Sequence, residues 1–137
     1  MNILIPTDGS AAALRAAKFA AKLGEDVHIT LMSVHDDAGL RHLKKYVARD
    51  SISDYLRCLS EKDLKATHDM LNKLGVSHDM IIKTGHVAEE ILKIAKVEKY
   101  DLLVMGAKGR SVISDMLIGS VAQRVMTLTV LPITLVK

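Results

Sequence analysis

The sequence is poor in aromatic residues, and its excess of positive charge is small. It has one Phe, three Tyr and no Trp, so it offers few of the stacking side chains that single-stranded nucleic-acid binders use. Its 19 Lys and Arg stand against 16 Asp and Glu, a formal charge of +3, and the basic residues are spread along the chain. A nucleic-acid reader would concentrate them on one face. We therefore expect no nucleic-acid partner.

Cysteine and long apolar runs are also scarce. A single cysteine, Cys58, permits neither an intrachain disulfide nor a cysteine-rich zinc site, and the six histidines show no metal-ligand spacing. The longest apolar runs are about five to seven residues, far below the ~20 that cross a bilayer. No signal-peptide pattern opens the chain. We expect a cytoplasmic protein with no membrane segment and no metal held by its own side chains.

The chain has the composition of a globular protein, and segments typical of strands alternate along it with segments typical of helices. Its 137 residues suit one domain, residues 1–137, and 49% hydrophobic with 26% charged residues is close to the globular average. Short apolar segments alternate with longer segments of helical periodicity. The predicted strands are residues 2–6, 27–34, 78–84, 101–105 and 133–136. The predicted helices are residues 11–23, 51–74, 87–97 and 119–127.

This alternation predicts an α/β fold, an open five-stranded parallel sheet with helices on both faces and the last strand at an edge. Gly24 and Gly75 are expected to cap the first two helices. Residues 35–50 show no clear period and are expected to form a long connection, with a helical piece around residues 40–47. Ligands of such sheets bind beyond the carboxyl ends of the strands, where the winding reverses. The loops suited to that position are residues 7–10 and 106–120.

The second of these loops carries a glycine pattern. It reads Gly, two residues, Gly, nine residues, Gly-Ser, at Gly106, Gly109, Gly119 and Ser120. Glycines allow several backbone N–H groups to converge on an anion, and a helix that begins near residue 119 would turn its free N–H groups and its dipole toward a phosphate. Lys108 and Arg110 can neutralise phosphate charge. The spacing predicts a phosphate-binding loop, and the alternative is a set of ordinary loop and cap glycines.

Through this pattern the chain resembles the nucleotide-binding subgroup of the universal stress protein family. The likeness extends to residues 3–10 (Ile-Leu-Ile-Pro-Thr-Asp-Gly-Ser), to residues 101–106 and to the closing residues 131–137. It implies a single universal stress protein domain with a Rossmann-like fold, similar to the adenine nucleotide alpha hydrolases. It also implies a homodimer that binds ATP, with Mg²⁺ bridging the phosphates.

The resemblance also implies a role for each site residue. Asp8, with Pro6 and Thr7 beside it, would line the adenine and ribose part of the pocket, and the backbone of Val34 would meet the adenine edge. The residues implied to border the ribose are Met105 and Gly106. Those implied to surround the phosphates are Gly109, Arg110, Gly119, Ser120 and Val121.

The last predicted strand bears on assembly. Residues 131–136 are apolar and would lie at a sheet edge, which invites pairing with another chain. A symmetric antiparallel pairing of two copies would bury this edge. The alternative is an edge covered by its own chain.

The sequence favours binding over turnover. It has no Walker phosphate loop and no Gly-x-Ser-x-Gly nucleophile elbow, and no base can be assigned over a γ-phosphate. We expect an ATP-binding, nucleotide-dependent stress-response homodimer that also contacts unidentified proteins. The alternatives are a slow ATPase or phosphotransferase, and a dimerising module that binds no ATP.

Overall fold

The computed structural model describes residues 1–97, 99–109 and 117–137. Its strands are β1 (Asn2–Pro6), β2 (His28–His35), β3 (Ser77–Thr84), β4 (Leu102–Gly106) and β5 (Ile133–Val136). Its α-helices are α1 (Ala11–Ala20), α2 (Arg49–Lys73), α3 (Val87–Val97) and α4 (Ser120–Leu128). No helix in these residues has the length and apolarity that a bilayer crossing requires.

The five strands form one parallel sheet in the order β3-β2-β1-β4-β5. Successive side chains of a strand point to opposite faces. Ile3 and Ile5 therefore pack under α1 and α2, whereas Leu4 packs under α3 and α4. These three side chains of the central strand β1 are fully buried. The predicted class is confirmed, with helices on both faces and the last strand at an edge.

The strand bounds agree with the predicted ones to within one residue, and the long connection contains a helical piece, as expected. A 3-10 helix, Ala38–Lys45, occupies much of residues 35–50, and α2 already begins at Arg49. Leu40 and Leu43 are partly buried. Their spacing of three matches the 3.0-residue turn of a 3-10 helix, which a search for the α-helical period of 3.6 does not detect.

The two predicted glycine caps had different outcomes. Gly75 has a φ of +67°, and the bonds Gly75 N–H to Asn72 O and Val76 N–H to Leu71 O, both 3.1 Å, form a Schellman motif. Gly24 as a left-handed cap was wrong, because it is not among the glycines with positive φ. The end of α1 is instead tightened by two i→i−3 bonds from the N–H groups of residues 22 and 23.

The strand order creates a reversal next to β1. From β1 the chain moves outward to β2 and β3, with α1 and α2 on one face, and then returns to β4 on the other side of β1. It continues to β5 with α3 and α4 on the opposite face. The loops that leave β1 and β4 therefore diverge, and a gap opens between them at the carboxyl ends of the strands.

Gly75 allows a test of the α2 cap. A Cβ at Gly75 would meet nothing within 4 Å, so its left-handed backbone is the expected source of strain. We expect Gly75→Ala to lower the free energy of unfolding by about 1 kcal/mol in urea denaturation. Gly39→Ala is the matched control, because Gly39 also has open space and its φ is not positive. Equal losses in the two variants would contradict the assigned cap.

Candidate functional site

The turn after β1 is held by its own hydrogen bonds. The Thr7 N–H donates to the Met32 carbonyl at 2.8 Å, which keeps the end of β1 beside β2. Asp8 Oδ1 accepts from the Ser10 N–H at 2.9 Å, and Ser10 Oγ accepts from the Ala13 N–H at 3.2 Å, which caps α1. Asp8 thus makes the local bond expected of an Asp-Gly turn. This bond stabilises the turn and is not evidence that Asp8 contacts a ligand.

Gly106 and Gly109 allow two parts of the protein to approach each other closely. A Cβ at Gly106 would lie 2.9 Å from the backbone carbon of Ala12 and from the backbone nitrogen of Ala13, so the start of α1 packs directly on the end of β4. A Cβ at Gly109 would lie 2.6 Å from Asp8 Oδ2. These contacts bring the turn after β1 and the loop after β4 together across the gap.

The amides at the start of α4 that have no intrahelical acceptor and are open to an anion begin one position later than the third glycine. Gly119 is the N-cap of α4, with extended backbone at φ −70° and ψ 157° that any residue adopts. Its N–H donates to the Ala107 carbonyl at 2.7 Å and is therefore engaged. The next three amides, those of Ser120, Val121 and Ala122, belong to the first turn and have no intrahelical acceptor. They form the donor set of this helix N-terminus.

A cavity of about 480 Å³ lies in the gap between the two loops. The sequence-predicted residues that line it are Pro6, Thr7, Asp8, Val34, Met105, Gly106, Lys108, Gly109, Gly119, Ser120 and Val121. Arg110 lies outside the described residues. The lining residues that were not among the predicted site residues are Ser10, Ala13, Met32, His35, Asp63, Val87, Ile91 and Ala122. All the predicted site residues within the described part of the chain thus line one cavity. Their contacts with a ligand stay predictions.

The two ends of the cavity differ in chemistry. Where α4 begins, the first-turn amides, the Ser120 hydroxyl and the partly buried Lys108 supply hydrogen-bond donors and positive charge. The walls near the end of β2 and the start of α3 are apolar, formed by Met32, Val34, Val87 and Ile91. An anion is favoured at the first end, and a flat apolar group at the second.

One polar pair interrupts the apolar end. His35 Nε2 lies 2.9 Å from Asp63 Oδ2, with the side chains 27% and 5% exposed, respectively. His35 ends β2 and Asp63 lies in the middle of α2, so the pair ties the helix to the strand end. A sequence signal existed, because the buried stripe of α2 contains Asp63 among its leucines. A carboxylate is rarely buried unless it is paired.

Among the described residues there is no group of three or more His, Cys, Asp or Glu that could hold a metal ion.

Comparison with known proteins gives consistent matches. The universal stress protein family model matches residues 1–137. The universal stress protein MJ0531 of Methanocaldococcus jannaschii is 34% identical, over 99% of this chain and 81% of the relative. The solved structure of hypothetical protein MJ0577 has a TM-score of 0.86 at 28% identity and covers 99% of this chain and 94% of its own. A universal stress protein solved in complex with cAMP has a TM-score of 0.74 at 22% identity, over 100% and 97% of the two chains, and shows the fold.

The close approaches at Gly106 and Gly109 predict different effects of the same substitution. In Gly106→Ala the new Cβ would meet backbone atoms of α1, so we expect the free energy of unfolding to fall by about 2 kcal/mol or more. In Gly109→Ala it would meet the end of the Asp8 side chain, which can rotate aside, so we expect a loss of at most about 1 kcal/mol. Urea denaturation measures both, and equal losses would contradict the packing of α1 on β4.

Proposed function

The chain belongs to the universal stress protein family, and we propose that it binds ATP in the cavity between β1 and β4 and acts as a nucleotide-dependent regulatory homodimer. The observation that carries this proposal is the cavity itself, with a donor-rich end and an apolar end at the reversal of the sheet. Its volume of about 480 Å³ lies within the ~300–1,000 Å³ range of small-molecule sites.

The triphosphate is assigned to the start of α4. The proposed phosphate-contacting residues are Lys108, Gly109, Arg110, Gly119, Ser120 and Val121. The open first-turn amides donate hydrogen bonds, the helix dipole favours negative charge, and Lys108 adds a full positive charge. When bound with ATP, Mg²⁺ would bridge phosphate oxygens and neutralise part of their charge.

The adenosine part is assigned to the rest of the cavity. The apolar walls near the end of β2 suit the faces of the adenine ring, with the backbone of Val34 at its edge. The ribose would lie beside Asp8, Met105 and Gly106, with Pro6 and Thr7 behind it. Each oxygen of a carboxylate accepts more than one hydrogen bond, so Asp8 can accept from a ribose hydroxyl while it remains bonded to the Ser10 N–H.

ATP is preferred to a cyclic monophosphate because of the charge that the donor-rich end can neutralise. A universal stress protein of the same fold holds cAMP, which supports an adenine nucleotide as the class of ligand. The first-turn amides of α4 and Lys108 together match a chain of phosphates better than one phosphate diester. We therefore expect ATP to displace cAMP in a competition experiment.

Isothermal titration with ATP tests the proposal. We expect the unmodified protein to bind ATP and Lys108→Ala to bind it about tenfold more weakly, because a charge-assisted contact to phosphate is lost. The Lys108→Ala substitution should weaken the binding of AMP less than the binding of ATP. Lys22→Ala is the matched control, since Lys22 is exposed beyond the carboxyl end of α1, at the opposite end of that helix from the cavity. No heat of binding at millimolar ATP would overturn the proposal.

The dimer contact is assigned to the open edge of β5. The carbonyls of residues 132 and 136 accept hydrogen bonds from the β4 side, so the main-chain groups of Ile133 and Leu135 face away from β4. Exposed apolar side chains precede this edge along the chain, at Met126, Leu128 and Val130. A two-fold pairing of β5 with its copy would satisfy the edge and cover these side chains.

Two leucines on opposite sides of the sheet test this contact. Leu128 ends α4, close in sequence to β5, and is 53% exposed, whereas Leu74 follows α2 on the β3 side and is 57% exposed. We expect the unmodified protein to have twice the mass of the chain in light scattering. Leu128→Asp should shift it to monomer, because two charges would meet at the two-fold axis, and Leu74→Asp should not. A monomeric unmodified protein would contradict the dimer.

A further inference from the structure

The His35–Asp63 pair fixes which ring nitrogen of His35 is available to a ligand. A carboxylate accepts hydrogen bonds, so Asp63 Oδ2, 2.9 Å from His35 Nε2, keeps the proton of the neutral imidazole on Nε2. Nδ1 is then an acceptor. Within the described part of the chain, no hydrogen-bond partner of Nδ1 is found, and the ring lines the cavity. This acceptor without a partner therefore belongs to a residue that lines the cavity.

The pair belongs to a polar seam between β2 and α2. Ser33 lies on the same face of β2 as His35, and Ser60 lies one turn before Asp63 on α2. Both hydroxyls are buried, and neither has a hydrogen-bond partner among the described residues. An unpartnered buried hydroxyl is unfavourable, so packing alone would favour aliphatic side chains here, as at Leu56, Leu64 and Leu71.

The position of this acceptor determines what it can recognise. His35 lines the cavity at the carboxyl end of β2, which is where the proposed function places the base. Adenine carries an exocyclic amino group, which donates, at the position where hypoxanthine and guanine carry a carbonyl oxygen, which accepts. An acceptor on the protein bonds the first and repels the second.

We propose that His35 selects the base, with Nδ1 accepting a hydrogen bond from the exocyclic amino group of adenine, and that Asp63 is the positioning residue that holds the required tautomer. This inference rests on the proposed ATP site and deepens it. It assigns the preference for adenine over 6-keto purines to one side chain, separately from the contacts that hold the phosphates.

The ratio of ATP to ITP affinity is the measurement, because both nucleotides carry the same triphosphate. We expect the unmodified protein to prefer ATP by about tenfold. In His35→Phe, which keeps a ring but has no lone pair, the ratio should fall to near one through weaker ATP binding. His35→Asn returns an acceptor close to the Nδ1 position and should recover part of the preference. His42→Phe is the matched control, since His42 is exposed and does not line the cavity.

Asp63→Asn tests the positioning role through a readout that packing alone would not change. The ¹⁵N shifts of the His35 imidazole should report the Nε2-protonated tautomer in the unmodified protein and a mixture of tautomers in Asp63→Asn. The ATP-to-ITP ratio should fall in parallel.

The failures of the two proposals are distinguishable. If the unmodified protein binds neither nucleotide, the ATP site and the base selection both fall. If it binds ATP and ITP equally, or if His35→Phe keeps the original ratio, base selection by His35 is overturned and the ATP site stands. Should His35→Phe not fold, the ratio in the unmodified protein and in His35→Asn gives the answer.

Discussion

The site depends on the contact between the first turn of α1 and the end of β4. Because Gly106 has no Cβ, the backbone of Ala12 and Ala13 packs directly on β4. This contact holds the turn after β1 beside the loop after β4, although α1 and α4 cover opposite faces of the sheet. The reversal of strand order supplies the gap, and the close packing sets its width. The cavity is therefore a product of the chain's own packing before any ligand contact is considered.

The sequence was sufficient for the fold class, the strands and the two loops that border the cavity. These features depend on local patterns, such as apolar runs, helical periodicity and turn residues, that one segment expresses by itself. The glycine spacing also identified the correct loop. The sequence predicts that the N–H groups at these glycines converge on an anion, whereas in the structure the glycines mainly allow close packing. Gly106 and Gly109 admit other atoms of the protein, and the amide of Gly119 bonds the Ala107 carbonyl, so the open donors belong to the residues that follow it.

The rest of the cavity could not be read from the sequence because it depends on how separate elements pack. His35 and Asp63 are 28 residues apart and meet only because α2 lies across the end of β2. Val87 and Ile91 follow the helical periodicity of residues 87–97 and pack in the core under α3, yet the same side chains form a cavity wall. A periodic pattern identifies a buried face, but it does not indicate which part of that face borders an open space.

The polar seam shows where stability and recognition compete. Ser33, Ser60 and Asp63 lie among buried aliphatic residues of β2 and α2, and the two serine hydroxyls have no partner among the described residues. In the proposed complex His35 and Asp63 keep one wall polar beside an otherwise apolar base pocket. His35 is also the last residue of β2, and the 3-10 helix that leads toward α2 begins at Ala38. A base that bonds His35 would therefore contact the end of β2 directly and would be linked to α2 through Asp63.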